Sequence, residues 1–165
     1  MCPTSGFIFQ MTSLTLEELK NHLCGELNET MCVICPYGWL NFRKRCYLIS
    51  EQLESWDFSK KYCLMRHSDL LIIDDEKEMN FIQGNDISRS YFWIGVQYNK
   101  RNSEWTWLNG STLQKGSSPE SPRDPGTFCG SFSNKQIFPL YCNNKAKWIC
   151  EKEVIQFEKK CFDPN

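Results

Sequence analysis

The sequence predicts an α+β fold held by disulfides. Two capped helical patterns come early, short strands and one long turn-rich loop follow, and no β-α-β alternation repeats, which is the order of segregated helices and strands. Ten cysteines in 165 residues supply covalent staples, and 41% hydrophobic residues supply a core for a single domain with a short appendage.

The elements read in order as follows. Residues 13–31 form a short helix: Thr15 caps it, Glu18 three positions on completes a capping box, and Leu16, Leu19, Leu23 and Leu27 share one stripe, while Gly25 weakens its later part. Two heptads are too few for an independent coiled coil. Two readings stay open: a helix packed on its own domain, or a stalk helix pairing with a second chain, where Cys24 beside Leu23 suits an interchain disulfide.

Residues 45–50 (RCYLIS) are a strand. Ser55 caps a helix through Arg66 in which Trp56 and Cys63, seven apart, share the inward face. Residues 69–73 (DLLII) are a short buried strand. Asp75 with Glu78 makes a second capping box, Met79 and Ile82 give that helix an apolar face, and Gly84 stops it. Residues 91–98 (YFWIGVQY) and 104–108 (EWTWL) are strands, followed by an Asn109-Gly110 turn. Trp105 and Trp107 alternate onto one strand face, where burial is the expected role. Residues 114–127 hold three prolines, two glycines and three serines and form a long loop. Residues 138–142 and 147–150 are the last strands.

Charge and cysteine usage exclude several functions. Nineteen Lys and Arg against 20 Asp and Glu leave a formal net charge of −1, so no global basic field holds nucleic acid or an anionic membrane. With two histidines, and no second Cys-x-x-Cys to match Cys32-x-x-Cys35, zinc is not expected. An even, widely spaced cysteine set indicates disulfides and an extracellular, oxidising compartment, although spacing alone does not choose the pairing. Residues 1–11 (MCPTSGFIFQM) lack the basic and apolar regions of a signal peptide, and no run of 18 apolar residues spans a membrane. A disulfide-rich chain of this kind is read as an ectodomain excised from a longer protein.

Cys35-Pro36-x-x-Trp39, Cys46-Tyr47, Trp56 with Cys63, Glu78-Met79-x-Phe81-Ile82, Trp93-Ile94-Gly95, Trp105-x-Trp107-x-Asn109-Gly110, Cys129, Cys142 and Trp148-Ile149-Cys150 cover about 118 residues. In that order they resemble a C-type lectin-like domain, and within that family the natural-killer-cell and myeloid lectin-like receptors, which are type II membrane proteins with a signal-anchor. The resemblance implies two helices, two small antiparallel sheets and a long loop. It also implies three disulfides, Cys35–Cys46, Cys63–Cys150 and Cys129–Cys142, with Trp93 and Ile94 in the core and Gly95 letting backbone pack closely. The organisation expected is a stalk or neck over residues 1–34, the lectin-like domain over 35–152 and a tail over 153–165. Cys2, Cys24, Cys32 and Cys161 remain. Cys32 just before the domain and Cys161 just after it are partners if the domain's ends meet; the Cys-x-x-Cys-Pro arrangement also resembles receptors whose first cysteine joins two subunits, which favours a dimer through Cys24 or Cys32.

Calcium needs six to eight oxygen ligands. Sugar-binding members of the resembling family place Glu-Pro-Asn or Gln-Pro-Asp in the long loop and Trp-Asn-Asp before the equivalent of Cys142. Here the loop reads Ser118-Pro119-Glu120-Ser121-Pro122-Arg123-Asp124-Pro125, and residues 137–141 (IFPLY) offer one tyrosine hydroxyl. Arg123 between Glu120 and Asp124 opposes a cation, so no calcium and no other cofactor is expected. Catalysis is not expected either. His67 lies in Arg66-His67-Ser68-Asp69, but triad members are assembled in space and not by adjacency. His22 falls in the stalk, and Asp74, Asp75, Glu76 and Glu78 suit a helix N-terminus, where negative charge is favourable. No Gly-rich phosphate loop is present.

What remains is recognition of a partner protein, which needs aromatic or Arg anchors on rigid strands beside adaptable loops. Tyr98, Lys100 and Arg101 follow the Trp93-Ile94-Gly95 strand, Arg123 and Phe128 lie in or just after the long loop, and Phe132, Lys135 and Phe138 fall between Cys129 and Cys142. Phe128 and Phe138 adjoin half-cystines and have a competing role as core. Lys100, Arg101, Arg123 and Lys135 form a modest basic cluster suited to an acidic partner patch. Asn28-Glu29-Thr30 and Asn109-Gly110-Ser111 fit the N-glycosylation pattern, the second confounded by its use as a turn.

The expectation is the ectodomain of an immune-cell receptor at the extracellular face of the plasma membrane. It binds a protein ligand on another cell through its membrane-distal face, without calcium, sugar or a small-molecule substrate, as a disulfide-linked or non-covalent dimer. The alternatives are the cell-surface ligand of such a receptor and a calcium-independent glycan binder.

Overall fold

The computed structural model describes residues 31–85, 90–114, 116 and 118–158. Cys2, Cys24, Cys161, Asn28 and the helix read over residues 13–31 lie outside the described residues, apart from Met31, which opens a strand. Two compact units divide the chain. One contains an antiparallel pair, β1 (Met31–Ile34) with β10 (Ile155–Glu158), in which Cys32 stands opposite Phe157. The other is Cys35–Val154.

In that larger unit α1 (Trp56–Leu64) starts where the Ser55 side chain accepts the Phe58 N–H, 3.3 Å away, and it buries Trp56 and Cys63 as their spacing predicts. It ends two residues before the expected Arg66: the Arg66 and His67 N–H groups turn back onto the Cys63 and Leu64 carbonyls, and exposed His67 takes a φ of 52°. α2 (Glu76–Gln83) is capped by Asp75, whose carboxylate accepts the Glu78 N–H at 2.8 Å. The Glu78 carboxylate reaches back one residue further than a capping box requires, accepting the Asp74 N–H at 2.8 Å.

The strands are β2 (Leu40–Phe42), β3 (Arg45–Ile49), β4 (Asp69–Leu70), β5 (Phe92–Asn99), β6 (Glu104–Trp107), β7 (Phe128–Ser133), β8 (Gln136–Tyr141) and β9 (Lys147–Glu153). They pair in the order β2-β3-β9-β5-β7-β8, with β4 also on β9 and β6 also on β5. Two antiparallel groups meet through a short parallel contact, Phe92 with Lys147 and Trp93 with Trp148, so the two expected sheets are lobes of one hydrogen-bonded network. Gly95 sits near this junction: a Cβ there would stand 2.7 Å from the Leu70 carbonyl oxygen, and its own N–H donates to the Leu71 carbonyl.

Cys35–Cys46, Cys63–Cys150 and Cys129–Cys142 are all bonded as the resemblance implies. Cys63–Cys150 lies in a core cluster with Trp56, Leu70, Trp93, Ala146 and Trp148. The indole N–H of Trp56 donates to the Ile94 carbonyl and that of Trp93 to the Glu54 carbonyl, which satisfies two polar groups inside apolar surroundings. A second cluster holds Ile82, Ile94, Val96, Trp105, Trp107, Phe128, Phe132 and Ile149, so the burial expected of both strand tryptophans is met.

Candidate functional site

The face expected to meet a partner is built on the far end of β5. Tyr98 pairs in register with Trp105 on β6, their ring centroids 5.3 Å apart, and the buried indole holds the half-exposed phenol in place. The chain then turns through exposed Lys100 and Arg101, whose backbone is fixed by the Asn99 side-chain oxygen accepting the Arg101 N–H at 3.0 Å. Tyr98, Lys100 and Arg101 border an open cleft of about 590 Å³ together with Trp107, Gly110 and Thr127.

The long loop closes on this cleft. The Lys100 ammonium donates to the Pro125 carbonyl, and the Tyr141 hydroxyl donates to the Asp124 carboxylate at 2.9 Å. That bond, followed by partial desolvation and the carboxylate's charge, raises the Tyr141 phenol above its ordinary pKa. Arg123 is exposed two residues from the Lys100 contact.

The remaining expected residues divide. Phe132 is wholly buried and Phe128 is 8% exposed, its ring 4.6 Å from that of Tyr141. Phe132 as a ligand contact is therefore corrected: β7 is covered on both faces, so alternation along it does not bring a side chain to water. Phe128 instead supports the back of Tyr141. Phe138 is half-buried and meets Tyr91 edge-on at 5.5 Å. Lys135 is exposed in the β7–β8 turn, at the opposite end of the hairpin from Phe128, roughly 17 Å away at about 3.4 Å per residue. It borders a separate groove with Met79, Phe132 and Ile137, so the basic cluster of the sequence reading loses its fourth member.

The Lectin C-type domain family matches residues 52–152. The chain is 36% identical over 135 residues to killer cell lectin-like receptor subfamily F member 1 of Homo sapiens, covering 78% of this chain and 56% of that protein. It is 30% identical over 125 residues to natural killer cells antigen CD94 of Canis lupus familiaris, covering 75% and 68%. Among solved structures it is similar to natural killer cell receptor Ly49C (TM-score 0.61, 26% identity, 73% of this chain and 95% of that one) and to a calcium-independent type II antifreeze protein (TM-score 0.63, 26%, 74% and 97%). The chain belongs to the C-type lectin domain family and, within it, is similar to natural-killer-cell receptors. It spans about half the length of the first relative. Among the described residues no helix is long and apolar enough to cross a membrane.

One part of this lectin-type domain has no counterpart in the sequence reading. Arg45 on β3 contacts Asp74 at 2.6 Å, Glu151 at 3.0 Å and Glu78 at 3.4 Å. Glu78 also accepts from the Tyr47 hydroxyl, and Glu151 accepts the Ile72 N–H at 2.9 Å. Glu78 is 3% and Glu151 8% exposed. Burial pushes the Glu151 carboxyl up to about 7, against the Ile72 hydrogen bond and the Arg45 charge. Burial and then the bond to Glu78 raise Tyr47, while desolvation of Arg45 is outweighed by Glu151, Asp74 and Glu78, which raise its guanidinium above the ordinary value. Beside them Asp75 is held below its ordinary value, first by the Glu78 N–H and then by Arg43. Reading these acids as helix-capping groups found Asp75 but missed Arg45, because Glu151 stands 106 positions away in the chain.

Proposed function

We propose that this chain is the recognition portion of a type II immune-cell surface receptor, and that it binds a protein ligand on an opposing cell without calcium. In this reading residues 1–34 are the stalk, 35–152 the recognition domain and 153–165 a tail, and the receptor is a dimer linked through Cys24 or Cys32. The observation that carries the proposal is how the loop's oxygens are engaged. A calcium ion needs six to eight of them. Here an ammonium occupies the Pro125 carbonyl and a phenol the Asp124 carboxylate, and Phe138, Pro139 and Leu140 precede that phenol. These residues do not fit a calcium cage.

The same arrangement leaves Arg101 exposed beside half-exposed Tyr98, with Arg123 exposed in the loop that Lys100 holds, a combination that suits an acidic protein surface. The test is staining of a broad cell panel with fluorescent tetramers, with and without EDTA. Staining that persists in EDTA and disappears when the target cells are treated with protease supports the proposal. Staining that vanishes with EDTA, or that free saccharide competes away, makes the protein a lectin in the literal sense.

A further inference from the structure

We propose that Asn109 is an N-glycan acceptor and that its glycan shields the cleft bordered by Tyr98, Lys100 and Arg101. Only the consequence, control of the recognition face, rests on the function proposed above. Asn109-Gly110-Ser111 is one of two acceptor sequences in the chain, and it lies at an exposed turn after β6. The Asn109 side-chain oxygen accepts twice, from the Ser111 N–H at 2.9 Å and from the Ser111 hydroxyl at 2.6 Å. The amide is thereby oriented, and among the described residues nothing accepts from its nitrogen, the atom that carries the sugar.

The turn is closed by Gly110 donating to the Trp107 carbonyl and Trp107 donating to the Ser111 carbonyl. A Cβ placed on Gly110 meets nothing within 4 Å, so the space beside the acceptor is open. A need for a turn explains Asn-Gly, since Gly110 has a φ of 87°. The turn itself needs only the N–H at position 111, which any non-proline residue supplies; the hydroxyl there adds a second bond to the oxygen of the acceptor amide. The three disulfides show the oxidising environment in which this modification occurs.

The chemistry is a substitution at the anomeric carbon of a polyprenyl-pyrophosphate-linked oligosaccharide. The Asn109 amide nitrogen forms a bond to C1 and loses one proton, the C1–oxygen bond breaks, and the lipid pyrophosphate leaves; nothing is oxidised or reduced. Gly110 itself borders the cleft, so the glycan is attached one residue from the rim of the surface that holds Tyr98 and Arg101.

The full chain is secreted from mammalian cells and treated with peptide N-glycosidase in heavy-oxygen water, and the converted sites are mapped by mass spectrometry. Label is expected at Asn109, lost in Ser111→Ala and retained in Ser111→Thr. Phenylglyoxal modification of Arg101 is then compared between the wild type and Ser111→Ala, with Arg43 as internal reference. A several-fold rise at Arg101 alone is expected in Ser111→Ala. Absence of label at Asn109 in secreted protein overturns the acceptor, and equal Arg101 rates overturn the shield. Neither readout uses a ligand, so failure of the tetramer experiment leaves both results standing.

Discussion

Arg45 gathers three carboxylates from distant segments, two of them buried, whereas Lys100 meets a single carbonyl oxygen in water. Around Arg45 the acceptors are exposed Asp74 and the almost fully buried Glu78 and Glu151, and the cluster ties β3, β9 and the start of α2 together. Around Lys100 the Pro125 carbonyl, and beside it the Asp124–Tyr141 pair, are exposed. Breaking a buried ion pair leaves a charge without a partner in low dielectric and costs about 3–5 kcal/mol, whereas an exposed contact contributes about 0–1 kcal/mol. Stability therefore resides on the Arg45 side and in the staples, while the loop side contributes little to it.

The largest effect belongs to the longest staple. Cys63–Cys150 closes 87 positions of chain, so Cys63→Ala with Cys150→Ala is expected to cost about 4–5 kcal/mol in the chain-entropy account. Cys35–Cys46 closes only 11, and its removal is expected to cost about 3 kcal/mol. Guanidinium unfolding under non-reducing conditions measures both. Equal losses would show that packing of α1 on β9, and not chain closure, is what the long bridge protects.

Next comes Arg45→Met, which keeps the aliphatic stem but abandons Glu78 and Glu151. Because the Arg45 side chain is 36% exposed, the buried-pair figure is discounted to about 2–4 kcal/mol. Lys100→Met, by comparison, is expected within about 1 kcal/mol of the wild type. Similar losses for the two variants would erase the distinction between the clusters.

Glu151 sharpens it further through pH. Its carboxyl rises from 4.5 to about 7 on folding, so between these values the folded chain holds a proton that the unfolded chain has released. The resulting stability is fully present below about pH 4.5 and is lost as pH rises through about 7, a change on the order of 3 kcal/mol. Denaturation midpoints measured from pH 5 to 8 should fall with this slope in the wild type and flatten in Glu151→Gln. An unchanged slope would assign the titration to another group.

The sequence was most informative where structure is local. Ser55 and Asp75 cap the two helices as read, since each cap uses a donor three residues away. The disulfide pairing followed from family resemblance, because spacing does not choose among ten cysteines. The β1–β10 pair was not legible: its strands stand more than 120 positions apart, and four residues carry too little alternation to be recognised. Phe132 was misplaced because β7 has both faces covered, a condition set by elements elsewhere in the chain. On the candidate face, Tyr98, Lys100 and Arg101 border one cleft because they fall within the four positions 98–101 at the end of one strand. Tyr141 was considered only as a poor calcium ligand, although it is 40% exposed and holds Asp124.

Tyr141→Phe is the smallest change in stability and the most direct probe of the loop. The ring keeps its contact with Phe128 and only the hydroxyl bond to Asp124 is lost, so the unfolding midpoint is expected to stay where it is. The wild-type phenol is raised above the ordinary tyrosine value because it donates a hydrogen bond to the Asp124 carboxylate, so Asp124→Asn should bring the Tyr141 transition back down in an alkaline absorbance titration. If Asp124→Asn leaves that transition in place, the loop is not held against β8 through this bond. A lowered transition, an unchanged midpoint and altered tetramer staining together would locate partner recognition on a loop held by contacts too weak to matter for folding, in contrast to the Arg45 cluster.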